Sequence, residues 1–411
     1  MAVEGPKFTR QMRETHTILV PSMANIQFAL LEKALKYQGY NVKLLTNEGS
    51  QVIHKGLKFV HNDTCYPALL VIGQLIDALD SNTYDLDKVA LAISQTGGGC
   101  RASNYIYLLR KALDQAGYKN IPIVSLNLAG MNKEEGFQIT LSMLVQGIYS
   151  LALGDTLMYL KNQVQPYLVN KKDAHKLVAK WIEKLGSQKR QTFRSYKKHT
   201  LQMVKEFSEL KVDYSRHVIK VGVVGEIYMK YAPLGNNHLE DFLEQQECEV
   251  MIPGILGFVM YGIYNQVENI NLYGGSFIKK LFFKWVLNYL LKREALFLKA
   301  ASTNKNFVVP KPFTHTIKTG REMINLGTKM GEGWLLTAEM ADLASLGYKN
   351  IICVQPFGCL PNHIVGKGMI AKMKERDQSA NIVPIDYDPG ATRVNQENRI
   401  KLMLAVANET N

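Results

Sequence analysis

The chain has 411 residues, of which 46% are hydrophobic, and this predicts a soluble protein with two or three α/β domains rather than one core. Its five cysteines come without a secretory signal pattern, so we expect the reducing cytoplasm and no disulfide framework. The net charge of +13 is concentrated within residues 161–220. We interpret this stretch as a solvated helical surface, or as a docking face for an acidic protein or for the phosphates of a nucleotide-like substrate. We expect no nucleic-acid partner, because no nucleic-acid-binding motif accompanies the charge.

Short apolar runs alternate with amphipathic segments in both halves of the chain. In the first half, the predicted strands begin at Thr17, Asn41, Lys88 and Ile121. In the second half, they begin at Val218, Glu249, Asn350 and Asn381. The stretch 134–211 between them is predicted to be helical. This rhythm implies parallel strands and an α/β fold with two Rossmann-like domains. We place the N-terminal domain with its helical extension at 1–215 and the C-terminal domain at 216–411.

Two short echoes indicate that the halves are related. Gly117-Tyr-Lys-Asn-Ile recurs at Gly347, and Gln95-Thr-Gly-Gly-Gly-Cys recurs in part as Gln355-Pro-Phe-Gly-Cys. The longest uncharged run, 250–267, is interrupted by proline and glycine. We therefore interpret that run as a strand end followed by a core helix, and we expect no membrane partner.

Three cysteines lie in similar settings. Cys65 in Asn-Asp-Thr-Cys-Tyr-Pro, Cys100 in Gly-Gly-Gly-Cys-Arg and Cys359 in Phe-Gly-Cys-Leu-Pro each precede a predicted helix start. Such a position favours the thiolate, the form that ligates metal. We predict that the three hold one metal or cluster in the cleft between the domains, and that Cys353 and Cys248 are structural.

Polar residues and glycines beside these cysteines are candidates for the same site. We expect cofactor contacts at Gly98, Gly99, Asn104, Gly358 and Asn362, because glycines let a backbone approach closely and amides donate hydrogen bonds. Arg101 and His363 are catalytic candidates. His363 also leaves a structural Cys₃His zinc site open, although no closely spaced cysteine pair supports zinc. The sequence has no Walker A motif, so we expect no ATP hydrolysis by this chain itself.

Long motifs around the three cysteines resemble the 2-hydroxyacyl-CoA dehydratase-related proteins. The nearest branch is the acyl-CoA dehydratase activase-related one, which is similar to the double-cubane cluster proteins. The motifs that carry the resemblance begin at Asn62, Gln95 and Gln355, with further segments at Gly225-Glu-Ile-Tyr, Gly331-Glu-Gly-Trp and Asp386-Tyr-Asp-Pro-Gly-Ala-Thr-Arg.

The resemblance implies an iron–sulfur cluster bound by the three cysteines. It is either an [8Fe-9S] double cubane shared by two chains of a homodimer or a [4Fe-4S] cluster in each chain. The resemblance also implies a separate ATPase activator that supplies low-potential electrons, and it adds Glu226 and Glu332 as catalytic candidates for proton transfer. The predicted function is an iron–sulfur reductase component acting on small molecules. Radical dehydration of a 2-hydroxyacyl-CoA and a non-catalytic cluster scaffold or electron relay are the alternatives.

Overall fold

The computed structural model describes residues 5–61, 63–95, 99–126 and 135–410. These residues form two four-stranded parallel sheets, which confirms the predicted α/β fold. The strands are β1 (Thr17–Val20), β2 (Asn41–Leu44), β3 (Val89–Ser94), β4 (Ile123–Leu126), β5 (Lys220–Gly225), β6 (Glu249–Met251), β7 (Asn350–Pro356) and β8 (Asn381–Tyr387). Their spatial orders are β2-β1-β3-β4 and β6-β5-β7-β8, so both sheets have the same strand order.

Helices surround both sheets and fill the region between them in sequence. In the first half they are α1 (Met12–Thr15), α2 (Asn25–Tyr37), α3 (Ser50–Phe59), α4 (Tyr66–Asp80), α5 (Tyr105–Ala116), α6 (Leu141–Val164), α7 (Asp173–Gly186) and α8 (Phe193–Ser208). In the second half they are α9 (Ile227–Tyr231), α10 (Pro233–Asn236), α11 (Leu239–Gln245), α12 (Ile255–Tyr273), α13 (Phe277–Ala301), α14 (Phe313–Met323), α15 (Gly333–Ser345), α16 (Leu360–Val365), α17 (Ile370–Arg376) and α18 (Arg393–Thr410). Helices α6 to α8 account for the predicted helical stretch.

The two sequence echoes have different structural meanings. The segments that end in Cys100 and Cys359 follow β3 and β7, which are the third strands of their sheets and therefore equivalent. Gly117 and Gly347 both end a helix with positive φ, at +90° and +91°. However, they precede β4 and β7, which hold different positions in the two sheets. The echo at Gly117 and Gly347 therefore reflects a shared way of ending a helix, because a residue without Cβ adopts positive φ at little cost.

The hydrophobic core joins the two halves. One buried cluster contains Tyr66 and Leu69 of α4 from the first half and Tyr228 and Met229 of α9 from the second. A second cluster packs α6, α7 and α8 against α12, α13 and α15. Each fully buried large apolar side chain contributes about 1.5–3 kcal/mol. The halves are therefore held against each other by apolar burial. The boundary near residue 215 stays a prediction.

One helical segment in the described part of the chain, Leu141–Tyr167, is long and apolar enough to cross a membrane by length and composition. Most of its apolar window is buried inside the protein, as in a core helix. The uncharged run 250–267 forms the end of β6 and the first part of α12, where Ile255, Leu256 and Met260 are buried. The interpretation as a strand end and a core helix is confirmed.

Candidate metal centre

Cys65 stands directly before α4 in extended backbone conformation and is 5% exposed. Pro67 occupies the first turn of that helix, where its missing N–H costs nothing. The Sγ atom of Cys65 lies 3.3 Å from the hydroxyl oxygen of Tyr105. This tyrosine begins α5, one turn beyond the second predicted ligand, Cys100, and so the first two cysteine segments meet at one buried contact.

Cys100 and Cys359 also stand directly before helical turns. Cys100 precedes a 3₁₀ turn, Arg101–Asn104, which leads into α5, so the helix predicted to start after Cys100 begins in this tighter form. Cys359 precedes α16, which has only 6 residues. Because α16 is so short, few peptide dipoles are aligned behind the Cys359 thiol.

The loops that carry Cys65 and Cys359 touch each other. The backbone N–H of Tyr66 donates a hydrogen bond of 2.9 Å to the carbonyl oxygen of Phe357. Gly358 has φ of +72°, and a Cβ atom placed there would lie 3.1 Å from the Cα atom of Cys65. The absence of a side chain at Gly358 thus allows two cysteine loops from opposite halves to approach, and its contact with a cofactor stays a prediction.

Glycine also permits close approach at Cys100. A Cβ atom at Gly99 would lie 2.7 Å from the Sδ atom of Met330. Gly331, with φ of +58°, lies against Pro361 in the turn after Cys359. The segment 327–332 therefore runs between the Cys100 and Cys359 loops and ends at Glu332.

All three thiols have raised pKa values, so the expectation that their thiolates are favoured is wrong for the metal-free protein. Burial is the main cause in each case, and it raises the pKa of Cys65, of Cys100 to about 11, and of Cys359. A backbone N–H in the following turn lowers each value by hydrogen bonding to sulfur, as the sequence argument expected, but desolvation is the larger effect. The charge of Cys65 raises the pKa of both other thiols, which places the three in one electrostatic environment.

Two buried carboxyl groups face the same environment. Glu226 follows β5 directly and accepts a hydrogen bond of 2.8 Å from the backbone N–H of Met229, and Glu332 accepts one of 2.8 Å from Ile227. Burial, and then the charge of Glu332, raises the pKa of Glu226 to about 8. Burial also raises the pKa of Glu332, whose Oε2 atom has no hydrogen-bond partner among the residues that the structure describes. The charge of Glu226 in turn raises the pKa of all three cysteines.

The other predicted site residues differ in placement. Arg101 is exposed, and its charge lowers the pKa of Cys65. Asn104 is also exposed and makes no side-chain cap at α5. His363 is half-buried in α16, one turn after Cys359. Asn362 is fully buried and donates to the carbonyl oxygen of Val354 at 3.3 Å, which is a structural role. Gly98 lies outside the described residues.

Cys353 and Cys248 are both buried and lie apart from these helix starts, as predicted. Cys353 is inside β7 and accepts a hydrogen bond of 3.6 Å from the side-chain amide of Gln355. Cys248 directly precedes β6. Sequence reasoning missed Tyr105, whose hydroxyl contacts Cys65. The only available signal was its position one turn after Cys100.

No three His, Cys, Asp or Glu side chains are arranged to hold a single metal ion within the ranges that the structure describes. The three cysteine loops nevertheless adjoin one another at the helix starts that follow β3, β7 and α3. A comparison with protein-family models gave no match, and a comparison with curated proteins found no relative. The assignment of this site therefore depends on its own geometry and chemistry.

Proposed function

We propose that the protein binds an iron–sulfur cluster through Cys65, Cys100 and Cys359 and acts as a reductase component. The observation that carries this proposal is that three cysteine loops from distant parts of the chain adjoin one another, with each cysteine before a helical turn and each receiving a backbone N–H. Donors of this kind stabilise thiolate and cluster sulfur. The three side chains are mostly buried, which matches the shielding that a low-potential cluster requires.

The donor set fits a cluster better than zinc. A structural zinc ion requires four donors around one atom. The described residues contain no such arrangement, even with His363 available beside Cys359. In a cluster each thiolate binds a different iron, so the three sulfur atoms need not converge on one point. Three protein ligands leave a further iron position for an exogenous group or substrate.

Ligation of metal would require the three thiols to lose their protons. Because burial raises their pKa values, the free energy of metal binding must also cover the deprotonation of the thiols. The affinity for metal should therefore increase with pH. A bound iron–sulfur cluster would supply one-electron chemistry at this position. Protein residues then have to control protons and charge around it.

Glu226 and Glu332 are suited to holding a proton at the site. Their carboxyl groups are buried together, and mutual repulsion disfavours ionisation of both at once. A carboxyl kept neutral in this way could donate a proton to a reduced substrate, and the carboxylate left behind would favour taking up a new proton because burial raises its pKa. The charge of Lys230 lowers the pKa of Glu226 and of Glu332, which partly offsets the effect of burial. Lys230 itself forms an ion pair of 3.2 Å with Glu339.

A separate activator would have to approach this site within electron-transfer range. The side chains at the rim are apolar and exposed: Met330 at 60%, Phe357 at 51% and Leu360 at 69%. In the basic stretch, Lys171 and Lys180 are already paired with Glu247 and Glu206. This pairing supports a solvated surface for the basic stretch, and we assign the activator contact to the apolar rim instead.

Cysteine substitution tests the proposal. Cys65→Ser, Cys100→Ser and Cys359→Ser should each lose most bound iron after anaerobic purification, whereas Cys353→Ser and Cys248→Ser should keep it. Electron paramagnetic resonance of the reduced wild-type protein then separates a double cubane from a single [4Fe-4S] cluster. Full iron retention in Cys100→Ser would refute the ligand set.

A further inference from the structure

The hairpin formed by α12 and α13 exposes a set of large apolar side chains at its tip. Each leaves between 46% and 78% of its surface in solvent: Leu272, Tyr273, Phe277, Ile278, Leu281, Phe282 and Trp285. We call this set the apolar arm. The first residue of α13 that is buried is Leu287, so the first two and a half turns of this helix project beyond the core.

The exposed residues of α13 form one stripe. Phe277, Leu281 and Trp285 follow one another at intervals of four, and Ile278 and Phe282 lie beside them, which places all five on one side of the helix. The lysines of the same turns project from other sides: Lys279, Lys280 and Lys284. An apolar stripe of this width is typical of a helix that packs against another helix.

The area of the apolar arm matches what a stable protein interface needs. Large apolar and aromatic side chains bury roughly 150–250 Å² each, so the seven side chains at their observed exposure offer on the order of 800 Å². A standard interface buries about 800 Å² on each partner. The largest apolar patch of a typical monomer is roughly 300–600 Å².

The apolar arm is connected to the candidate metal centre. The ammonium group of Lys329 lies 4.5 Å from the ring centre of Tyr273 and also bonds the side-chain oxygen of Asn269. The next residue, Met330, is exposed and packs beside Gly99. Lys329 and Met330 therefore link the arm to the rim of the Cys100 and Cys359 loops.

We propose that the apolar arm is the surface through which two copies of this chain associate, with α13 of one copy packed against α13 of the other. An isologous pairing along the stripe buries Phe277, Leu281 and Trp285 of both copies while the lysines stay in solvent, so like charges are not brought together. The candidate metal centre then lies at the edge of the interface. The pairing rests on the arm alone and does not depend on the proposed cluster.

Sedimentation velocity of the full chain tests this proposal. Wild-type protein should be a dimer, and Trp285→Glu should weaken the dimer at least about 100-fold, because a buried aromatic anchor is lost from both copies at once. Val169→Glu is the matched control, since Val169 is 70% exposed and lies outside the arm. Circular dichroism of each variant checks that its helices are retained.

A second variant gives a positive signal. Leu281 is central in the stripe, so Leu281→Cys should form a cross-linked dimer on mild oxidation, whereas Val169→Cys should not. A monomeric wild-type protein, or an unchanged dimer constant in Trp285→Glu, would overturn the proposal. Monomeric protein that cosediments with phosphatidylglycerol vesicles would overturn it in favour of a lipid surface. Iron measured on the same fractions reports on the cluster separately.

Discussion

Gly358 is where a single methyl group should disturb both the fold and the candidate metal centre. In Gly358→Ala the residue must hold φ of +72°, which costs an L-residue about 1–2 kcal/mol. Its Cβ atom would also lie 3.1 Å from the Cα atom of Cys65 and 3.3 Å from the carbonyl oxygen of Thr64. These are backbone atoms, which cannot rotate away, so we expect the crowding to add about 1–3 kcal/mol.

Gly117→Ala is the matched control because it measures the cost of positive φ without any crowding. Gly117 has φ of +90°, and no atom in the described part of the chain lies within 4 Å of a Cβ atom placed there. Urea unfolding should therefore show a loss of about 1–2 kcal/mol in Gly117→Ala and about 2–5 kcal/mol in Gly358→Ala. Only Gly358→Ala should also lose iron, since it separates the Cys65 and Cys359 loops. Equal losses of stability and of iron in the two variants would refute the argument.

Two further variants test the electrostatics of the site. Tyr105→Phe removes the hydroxyl beside Cys65 and should lower the reduction potential of the bound cluster by about 40 mV. This figure takes about 1 kcal/mol for a hydrogen bond that strengthens on reduction. Tyr107 is exposed, so Tyr107→Phe should leave the potential unchanged in the same titration. Glu226→Gln should change how stability depends on pH in metal-depleted protein. The pKa of Glu226 is about 8 in the folded state against 4.5 normally, so between these values the folded state holds a proton that the unfolded state has lost, and wild-type stability falls as pH rises. Urea unfolding at pH 5.5 and pH 7.5 should show a decline in stability that is steeper in wild type than in the glutamine variant by roughly 1.4 kcal/mol per pH unit; parallel profiles would contradict the raised pKa.

The sequence was a good guide to the strands because buried parallel strands read as continuous apolar runs. It also located three cysteines directly before helical turns, since Pro67 and the flanking glycines are local signals. Both kinds of information are short-range. The site could therefore be outlined from the sequence only as a set of similar local segments.

The sequence could not show whether burial or the helix start has the larger effect on the pKa of each cysteine. The raised pKa of Cys100 depends on packing by residues far along the chain, including Glu332. The contact between Tyr105 and Cys65 joins positions that are 40 residues apart. The exposure of the α13 stripe could not be predicted either, because an apolar helix face has the same sequence pattern whether it packs in a core or against another molecule.

The most direct test of the account is the metal content of wild-type protein purified without oxygen. Iron and acid-labile sulfide, measured per chain, should be present in near-equal amounts of about four each, as expected for three cysteines holding one cubane. Iron should disappear in the triple variant of Cys65, Cys100 and Cys359 to serine. Stoichiometric zinc without sulfide, or protein that binds no metal when reconstituted with iron and sulfide, would contradict the central claim.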